Sequence, residues 1–445
     1  MPSSLRFRSV AIAPLFLVPP IPLASQESQA VAPVVLTGRD LAVDDLVRVA
    51  RGLAPVRPEA AALERVARAH HLLLLAAERG VPIYGLNRGV GIDRDKQIFR
   101  AGELDPAARR ASERFNRNLL LAHSAGIGPD APLEHVRAAL LARVNTMLYG
   151  ATGAQPAVAQ MYLEFLNRRI HPVLPSRGSI GEADIDILAH VGLAMLGEGD
   201  VMYEGRRVRA GDALREAGLV PIAPFAKDGL SIFSSNAYAA GMAALLVHDA
   251  RRLLDAGEVV AAMSLEGLNG NVSPLLEPVQ ALRPYPEQAA AAQRIRGVLD
   301  GSYLWRPDPG RPLQDPLSFR TMSQVYGSAR EQLQALERAI AIKLNSSDDN
   351  PAVVLDATPD RAAPPAVRAY YVREGDLKGA VIPSANFEPM SWVMATTTPS
   401  SPIESPMLPP CCPGASRPTG PAIPRSAEPR RALGRGPRGS PGIGR

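Results

Sequence analysis

The segment VYGSAREQLQALERAI, residues 325–340, carries the clearest helical pattern in the sequence. Its apolar residues recur every three or four positions, and a helix places side chains at that spacing on one face. These apolar positions are Val325, Ala329, Leu333, Leu336 and Ile340. The segment NSSDDNP follows at 345–351 and favours a turn, so it ends the helix. The sequence therefore predicts a long amphipathic helix with one buried face.

Two segments closer to the N-terminus repeat this pattern. One has its apolar positions at Leu133, Val136, Leu140, Val144 and Leu148, and the other at Met242, Leu246, Ala250, Leu253 and Leu254. Several long helices joined by polar loops predict a mainly α protein, a helical bundle with a smaller mixed domain on its N-terminal side. We assign residues 36–225 to the N-terminal active-site domain and residues 226–395 to the central bundle.

The two ends of the chain differ in composition from the rest. Residues 1–35 contain an apolar stretch broken by prolines, which predicts a disordered or signal-like leader; a cytoplasmic location is favoured, and export stays open. Residues 396–445 are rich in Pro, Ser, Gly and Arg and predict a disordered tail. Because the composition changes abruptly after Met394, we expect an aberrant C-terminus in which part of the bundle is missing.

Composition excludes several classes of function. The 445 residues are 46% hydrophobic and 21% charged, and much of the net charge of +5 comes from the Arg-rich end of the tail, so no nucleic-acid partner is predicted. The two cysteines, Cys411 and Cys412, are adjacent, which argues against a disulfide framework and a cysteine zinc site. We also find no metal-binding motif, no dinucleotide loop and no later apolar segment long enough to span a membrane.

Six segments carry polar groups suited to chemistry. They are YGLNRGVG at 84–91, NLLLAHSAGIG at 118–128, KDGLSIFSSN at 227–236, QDPLSFR at 314–320, DNP at 349–351 and NF at 386–387. Each alone has a plain structural interpretation, such as a glycine turn beside a packed tyrosine or a buried histidine with its hydrogen bonds satisfied. Their order along the chain is much more specific than any one of them.

This ordered series resembles the histidine/phenylalanine ammonia-lyase family over roughly residues 36–393. The resemblance implies the ammonia-lyase/fumarase-like fold and a small amino acid or betaine substrate. It also implies a homotetramer in which loops from several chains combine in each active site. Departures from the family pattern include Arg88 in place of Thr, Leu317 in place of Tyr, and Ser234 with Ser235 in place of Asn-Gly.

The resemblance also implies roles for particular residues. Tyr84 corresponds to the candidate general base, His123 to the histidine that enters the active site, and Arg320 to the clamp on the substrate carboxylate. The other substrate-binding residues that we predict are Asn236, Gln314, Phe387, Glu182 and Asp184.

The segment GSIGEADI, residues 178–185, departs most from the family. The family has Ala-Ser-Gly here and converts it into a methylidene-imidazolone, the electrophile that attacks the substrate. This chain lacks the tripeptide and is one residue shorter, so we predict that the cofactor is absent. Ser179 and Glu182 are spaced for a helix capping box, and the helix dipole favours Asp184. The alternative is that Glu182 and Asp184 face a cationic substrate.

Without the electrophile a primary amine is a poor leaving group, whereas a trimethylammonium group leaves as a neutral amine. The sequence therefore favours a carbon–nitrogen lyase that eliminates trimethylamine from a betaine such as ergothioneine, like the ergothionase-like relatives in the family. Two alternatives stay open. One is an ordinary histidine, phenylalanine or tyrosine ammonia-lyase or aminomutase, and the other is an inactive truncated scaffold.

Overall fold

Helices dominate the computed structural model, which describes residues 31–100, 102, 104–179 and 181–390. The predicted mainly α fold is confirmed. The helices are α1 Val43–Ala50, α2 Ala60–Glu78, α3 Pro106–His123, α4 Leu133–Leu148, α5 Pro156–Asn167, α6 Ile185–Met195, α7 Ala210–Glu216, α8 Asp228–Phe233, α9 Ala237–Gly267, α10 Glu277–Ala281, α11 Pro286–Val298, α12 Leu317–Arg320, α13 Met322–Leu344 and α14 Pro365–Arg368.

Short strands form four small sheets around these helices. The strands are β1 Val34–Leu36, β2 Val56–Pro58, β3 Ile127–Asp130, β4 His171–Pro172, β5 Pro175–Arg177, β6 Asp200–Tyr203, β7 Arg206–Arg209, β8 Ala352–Leu355, β9 Tyr371–Glu374 and β10 Leu377–Ile382. β1 pairs with β2 in parallel, and β3 pairs with β5 antiparallel. The two three-stranded sheets, in the orders β4-β6-β7 and β8-β10-β9, are antiparallel.

The centre of the bundle is α4, which packs against α1, α5 and α9, while α9 also packs against α11 and α13. The apolar face predicted on α4 is buried at Val136, Leu140, Val144 and Leu148, although Leu133 is 47% exposed. Burial extends beyond that face, because every residue from Val136 to Leu148 is buried, including Arg137 and Arg143. Neighbouring helices cover α4 on all sides, and its buried arginines find hydrogen-bond partners there.

The helices predicted around residues 242–254 and 325–340 are confirmed as α9 and α13. α13 ends at Leu344, as the turn-forming segment after it predicts. Their apolar stripes are only partly buried, however. Leu246 is 55% exposed and Leu253 is 73% exposed in the single chain. The predicted apolar face of α9 is therefore open, and smaller residues such as Ala244 and Val247 make its contacts with the core.

The sheet β8-β10-β9 was not predicted. It comes from the end of the described residues and packs against α2, where Val353 and Val381 share a hydrophobic cluster with Leu72 and Leu73. The largest hydrophobic cluster likewise contains residues from both sides of the predicted boundary at 225, for example Leu188 and Ile340. The boundary itself stays a prediction.

One helical segment, Asp228–Gly267, is long and apolar enough to cross a membrane by length and composition. Our expectation that none exists was therefore wrong on those two criteria. Because 78% of its most apolar window is buried inside the protein, packing accounts for these residues. Among the described residues, no cluster of His, Cys, Asp and Glu could hold a metal ion. Most of the predicted leader, the predicted tail and both cysteines lie outside the described residues.

Candidate active site

Tyr84 is held at the start of a tight loop between α2 and α3. The buried amide of Asn87 closes the loop, because its Oδ1 accepts a hydrogen bond from Ile83 N (2.7 Å) and its Nδ2 donates one to Val81 O (2.9 Å). Gly85 has a φ of +75°, which favours glycine. The Tyr84 hydroxyl accepts a hydrogen bond from Gly91 N at 2.8 Å. The phenol oxygen is therefore fixed against the glycine-rich loop.

Gly85 is also needed for close packing. A Cβ at this position would lie 2.7 Å from Leu230 Cδ2, in α8. The glycine thus lets the loop approach α8, the element that carries Phe233 into the site. Two of the segments that the sequence singled out, 84–91 and 227–236, therefore meet directly.

His123 is the last residue of α3. Its Nδ1 lies 2.8 Å from Leu119 O, a geometry in which a ring N–H donates to the carbonyl. In the neutral imidazole the proton is then on Nδ1, and Nε2 is an acceptor. The ring stacks on Phe233, with centroids 4.7 Å apart and planes inclined by 19°. The orientation of the imidazole is thus fixed by one hydrogen bond and one aromatic contact.

Three hydrogen bonds of 2.9 Å tie residues 182–184 to the turn that precedes α9 and to the first turn of α9 itself. Asn236 Nδ2 donates to Glu182 O, Asp184 N donates to Ser235 O, and Ala239 N donates to Asp184 Oδ2. The predicted capping box is wrong. α6 begins only at Ile185, and Ser179 Oγ instead accepts a hydrogen bond from Gly181 N at 3.3 Å. The Glu182 side chain is left exposed.

A buried cluster of charges lies behind this turn. Asp348 Oδ1 accepts a hydrogen bond from Arg143 Nη1 at 3.0 Å, and its Oδ2 accepts from Lys343 Nζ, from Ser235 Oγ at 2.7 Å and from Asn236 N at 3.1 Å. Burial opposes ionisation of Asp348, but Lys343 and Arg143 hold its pKa well below its usual range. One carboxylate therefore fixes both the hydroxyl and the backbone of the turn.

Asp349 extends the cluster towards the other wall of the site. It accepts a hydrogen bond from Arg143 Nη2 at 3.0 Å and one from Thr152 Oγ1 at 2.9 Å. Lys227 Nζ lies 3.7 Å from Asp349 and donates to Pro351 O at 2.7 Å. Burial lowers the pKa of Lys227 to about 8, an effect that Asp349 opposes. These contacts hold residues 349–351, so Asn350 is positioned at the edge of the site.

These elements enclose a cavity of about 310 Å³. It brings together four of the eight predicted site residues from four separate segments: Tyr84, His123, Glu182 and Phe387. Phe233, Ser234 and Asn350 also line it, although we did not predict them as site residues. All three lie inside the segments at 227–236 and 349–351 that the sequence singled out. Considering every position of these segments as a possible site residue would have found them.

The other four predicted residues lie elsewhere in the single chain. Asn236 is 2% exposed and does not line the cavity. Asp184 lines a neighbouring cavity, and Gln314 and Arg320 line a third one beside α12. Within the part of the chain that the structure describes, Arg320 has no ion-pair partner, and its Nε is buried without a hydrogen bond. Its guanidinium is therefore not consumed by a structural salt bridge.

Burial raises the pKa of Asp184 to about 6, although the Ala239 amide and the neighbouring Ser179 hydroxyl oppose the shift. Because the pKa of Asp184 is higher in the folded protein than in the unfolded chain, ionisation of this carboxyl group destabilises the fold. The carboxyl group therefore contributes to stability below its unfolded pKa, and this contribution is lost as the pH rises through 6. We expect Asp184→Asn to raise the free energy of unfolding at pH 8 by about 3 kcal/mol. The gain should fall to about 1 kcal/mol at pH 4.5, which lies between the unfolded and folded pKa values, and urea denaturation at both pH values measures it. A loss of stability at pH 8 would contradict the expectation.

Comparison with known proteins identifies the family. The sequence model of the family "Aromatic amino acid lyase" matches residues 41–399. The chain belongs to this family. It is 37% identical over 325 residues to a histidine ammonia-lyase of Gloeobacter violaceus, and 35% identical over 323 residues to one of Stigmatella aurantiaca. These alignments cover 73% and 72% of the chain but only 62% of each relative, so the chain matches about three fifths of the length of these family members.

Solved structures place the chain in the same fold. An ergothionase from Treponema denticola, an ergothioneine-degrading enzyme crystallised with desmethyl-ergothioneine sulfonic acid, is 37% identical with a TM-score of 0.72. The superposition covers 82% of this chain and 68% of that structure. A tyrosine aminomutase from Streptomyces globisporus is 27% identical with a TM-score of 0.69. Its superposition covers 82% of this chain and 67% of that structure. The predicted ammonia-lyase fold is therefore confirmed.

Proposed function

We propose that this protein is a carbon–nitrogen lyase that eliminates trimethylamine from a histidine-type betaine such as ergothioneine. The main support is the cavity of about 310 Å³, which combines a candidate base, an oriented imidazole, a carboxylate and an aromatic ring beside a segment without Ala-Ser-Gly. The similarity to the ergothionase of Treponema denticola points in the same direction.

Tyr84, acting as the phenolate, takes the β-proton and becomes the neutral phenol. Tyr84 lines the cavity and its oxygen accepts the Gly91 N–H, and such a donor stabilises negative charge on the phenol oxygen. Proton removal leaves the electron pair of the C–H bond to form the new double bond. The electron pair of the breaking C–N bond leaves with nitrogen, so the cationic group departs as neutral trimethylamine. No proton has to reach the leaving group.

Two groups in the cavity suit a quaternary ammonium ion. The Glu182 side chain supplies a negative charge, and the half-buried ring of Phe387 supplies a π face. Both favour a permanent cation over a neutral amine. The stack of His123 on Phe233 offers a flat wall for an imidazole ring, and Nε2 of His123 accepts a hydrogen bond from a ring N–H.

The residues of the 178–185 segment do not fit the family's methylidene-imidazolone. Forming that group requires a serine between alanine and glycine, and the only hydroxyl here belongs to Ser179, which follows Gly178. Where the segment meets the cavity, it presents Glu182, Ala183 and Ile185. We therefore assign no step to this electrophile. We expect the intact mass of the purified chain to equal its sequence mass, and loss of two water molecules from the peptide with residues 178–185 would contradict this.

Incubation with matched substrates tests the proposed reaction. The purified chain is given ergothioneine, histidine betaine, histidine, phenylalanine or tyrosine, and products are identified by mass spectrometry. We expect trimethylamine and an unsaturated acid from a betaine. Ammonia from histidine, phenylalanine or tyrosine at a comparable rate would instead support an ordinary ammonia-lyase, the activity named for the relatives at 35–37% identity. No product from any substrate would support an inactive scaffold.

We further propose that the active site is completed by a second copy of the chain in a homo-oligomer, with a homotetramer as the expected state. Arg320 and Gln314 line a cavity that contains none of the residues around Tyr84. α9 also exposes an apolar stripe at seven-residue spacing, with Leu246 55%, Leu253 73% and Val260 59% exposed. An exposed stripe of this kind is typical of a protein–protein interface. Arg320 from one copy is therefore proposed to bind the substrate carboxylate at the Tyr84 cavity of another.

Mixed oligomers test this arrangement. Tyr84→Phe and Arg320→Ala are each expected to be inactive alone. Co-expressed chains that mix at random should regain activity at roughly a quarter of the sites, because half of the Tyr84 positions and half of the Arg320 positions are intact. Activity is measured on oligomers purified through two different tags. If both residues act within one chain, mixing restores nothing.

A further inference from the structure

Another cavity, of about 470 Å³, lies between α2, β8 and the loops that follow β1, α4 and α13. It shares no lining residue with the Tyr84 cavity. Three arginines line it, Arg39, Arg65 and Arg68, and Asp356 is the one acidic residue among the described residues of its wall. The charged groups of the cavity therefore carry a net charge of +2.

Arg39 is fixed against the ring of Tyr149. Its guanidinium carbon lies 5.2 Å from the ring centroid. Gly38 lets the loop come this close, because its φ is +82° and a Cβ here would collide with the backbone of Tyr149. Among the described residues, the Arg39 side chain forms no ion pair and no hydrogen bond. A guanidinium that lies on a ring keeps its in-plane N–H groups free, so Arg39 brings unused donors to the cavity.

Arg65 is held by backbone carbonyl groups and not by a carboxylate. Its Nη2 donates to Thr37 O at 2.5 Å and to Leu148 O at 3.3 Å, which fixes the half-buried side chain without neutralising its charge. Its Nη1 is not buried and donates to no other described residue. Arg68 differs, because its Nη2 donates to Asp356 Oδ1 at 2.9 Å. Two of the three guanidinium groups at the cavity are therefore without an acidic partner among the described residues.

Neutral hydroxyl groups lie at the same cavity. Ser346 and Ser347 follow α13, and Tyr149 follows α4. Ser347 Oγ donates to Asp349 Oδ2 at 3.3 Å, whereas the hydroxyls of Ser346 and Tyr149 form no hydrogen bond with any described residue. Guanidinium groups and hydroxyls together are donors suited to a phosphate group, since the planar guanidinium donates two parallel N–H bonds to its oxygens.

We propose that this cavity binds a small organic phosphate. The phosphate group pairs with Arg39 and Arg65 and accepts a hydrogen bond from Ser346, while the rest of the ligand packs on Val354 of β8. A phosphate monoester carries about two negative charges and several acceptor oxygens, which matches the net charge of +2 at the cavity. A volume of about 470 Å³ has room for an organic part as well as the phosphate group. The site does not depend on the proposed reaction.

Calorimetric titration at constant ionic strength, with a matched ligand series, tests the site. Ribose 5-phosphate and phenyl phosphate represent a polar and an aromatic organic phosphate, and ribose and phenol are the same molecules without the phosphate group. At least one of the two phosphates is expected to bind saturably, and more tightly than its partner without phosphate. Arg39→Gln should weaken that phosphate by at least about tenfold. Arg65→Gln should weaken it as well, because both guanidinium groups are proposed to contact the same dianion.

Two controls distinguish binding in this cavity from a general effect of charge and from changes in folding or assembly. Arg57→Gln removes the same charge from an exposed residue of β2 outside the cavity and should leave phosphate binding unchanged. Circular dichroism and light scattering on each variant report the fold and the oligomeric state. Absence of saturable binding of both phosphates, equal affinity in the wild type and Arg39→Gln, or an equal loss in Arg57→Gln overturns the proposal. A change of oligomeric state in Arg39→Gln also overturns it, because Arg39 would then serve contacts between copies.

Discussion

Tyr84→Phe is expected to lower kcat for trimethylamine release from a betaine by about 10²–10⁴-fold. The substitution removes only the phenol oxygen, which is the proposed acceptor of the β-proton, and keeps the ring that packs against the main core. The hydrogen bond from Gly91 N at 2.8 Å is lost as well, but the Asn87 contacts that close the loop remain. The loop should therefore keep its shape while its proton acceptor is missing.

Steady-state kinetics on Tyr84→Phe and on a control, Tyr238→Phe, measure this effect. Tyr238 lines the neighbouring cavity, so its phenol oxygen lies outside the proposed chemistry. KM should change much less than kcat for Tyr84→Phe, because the carboxylate clamp and the cation-binding groups are intact. If Tyr84→Phe retains a kcat within threefold of the wild type and unfolds at the same temperature, Tyr84 is not the base.

The sequence predicted the fold well because the fold follows from local patterns and an ordered series of motifs. α13 and its end at Leu344 follow directly from apolar spacing and a turn-forming segment. The all-round burial of α4 could not be predicted in this way, since Arg143 looks like a surface residue in sequence. Its burial depends on Asp348 and Asp349, which follow it by about two hundred residues. Long-range pairing of this kind leaves no local signal.

Half of the eight predicted site residues line the Tyr84 cavity, and the reason is similar. Tyr84, His123, Glu182 and Phe387 meet in one cavity because the motifs that carry them fold around it. Asp184 is two residues from Glu182, but the backbone turns between them and the two residues line different cavities. A sequence pattern for a capping box contains no information on that turn. The distance of Arg320 from the Tyr84 cavity likewise depends on tertiary structure and, in our proposal, on a second copy.

The second large effect that we expect is a loss of stability from Asp348→Asn. Asp348 and Asp349 are the two acidic members of a buried cluster that also contains Arg143, Lys227 and Lys343. Removing one negative charge leaves buried cations without compensation, which typically costs about 3–5 kcal/mol. We therefore expect Asp348→Asn to lower the free energy of unfolding by about 3–5 kcal/mol.

Urea denaturation of Asp348→Asn and of a matched control, Asp356→Asn, measures this cost. Asp356 forms an ion pair of 2.9 Å with Arg68 in which both side chains are partly exposed, at 55% and 38%, so its loss should cost less than about 1 kcal/mol. A difference between the two variants shows that burial sets the effect. Asp348 also accepts hydrogen bonds from Ser235 and Asn236, so activity of the folded fraction should fall together with stability. Equal, small losses in both variants would mean that the cluster does not hold the turn behind the active site.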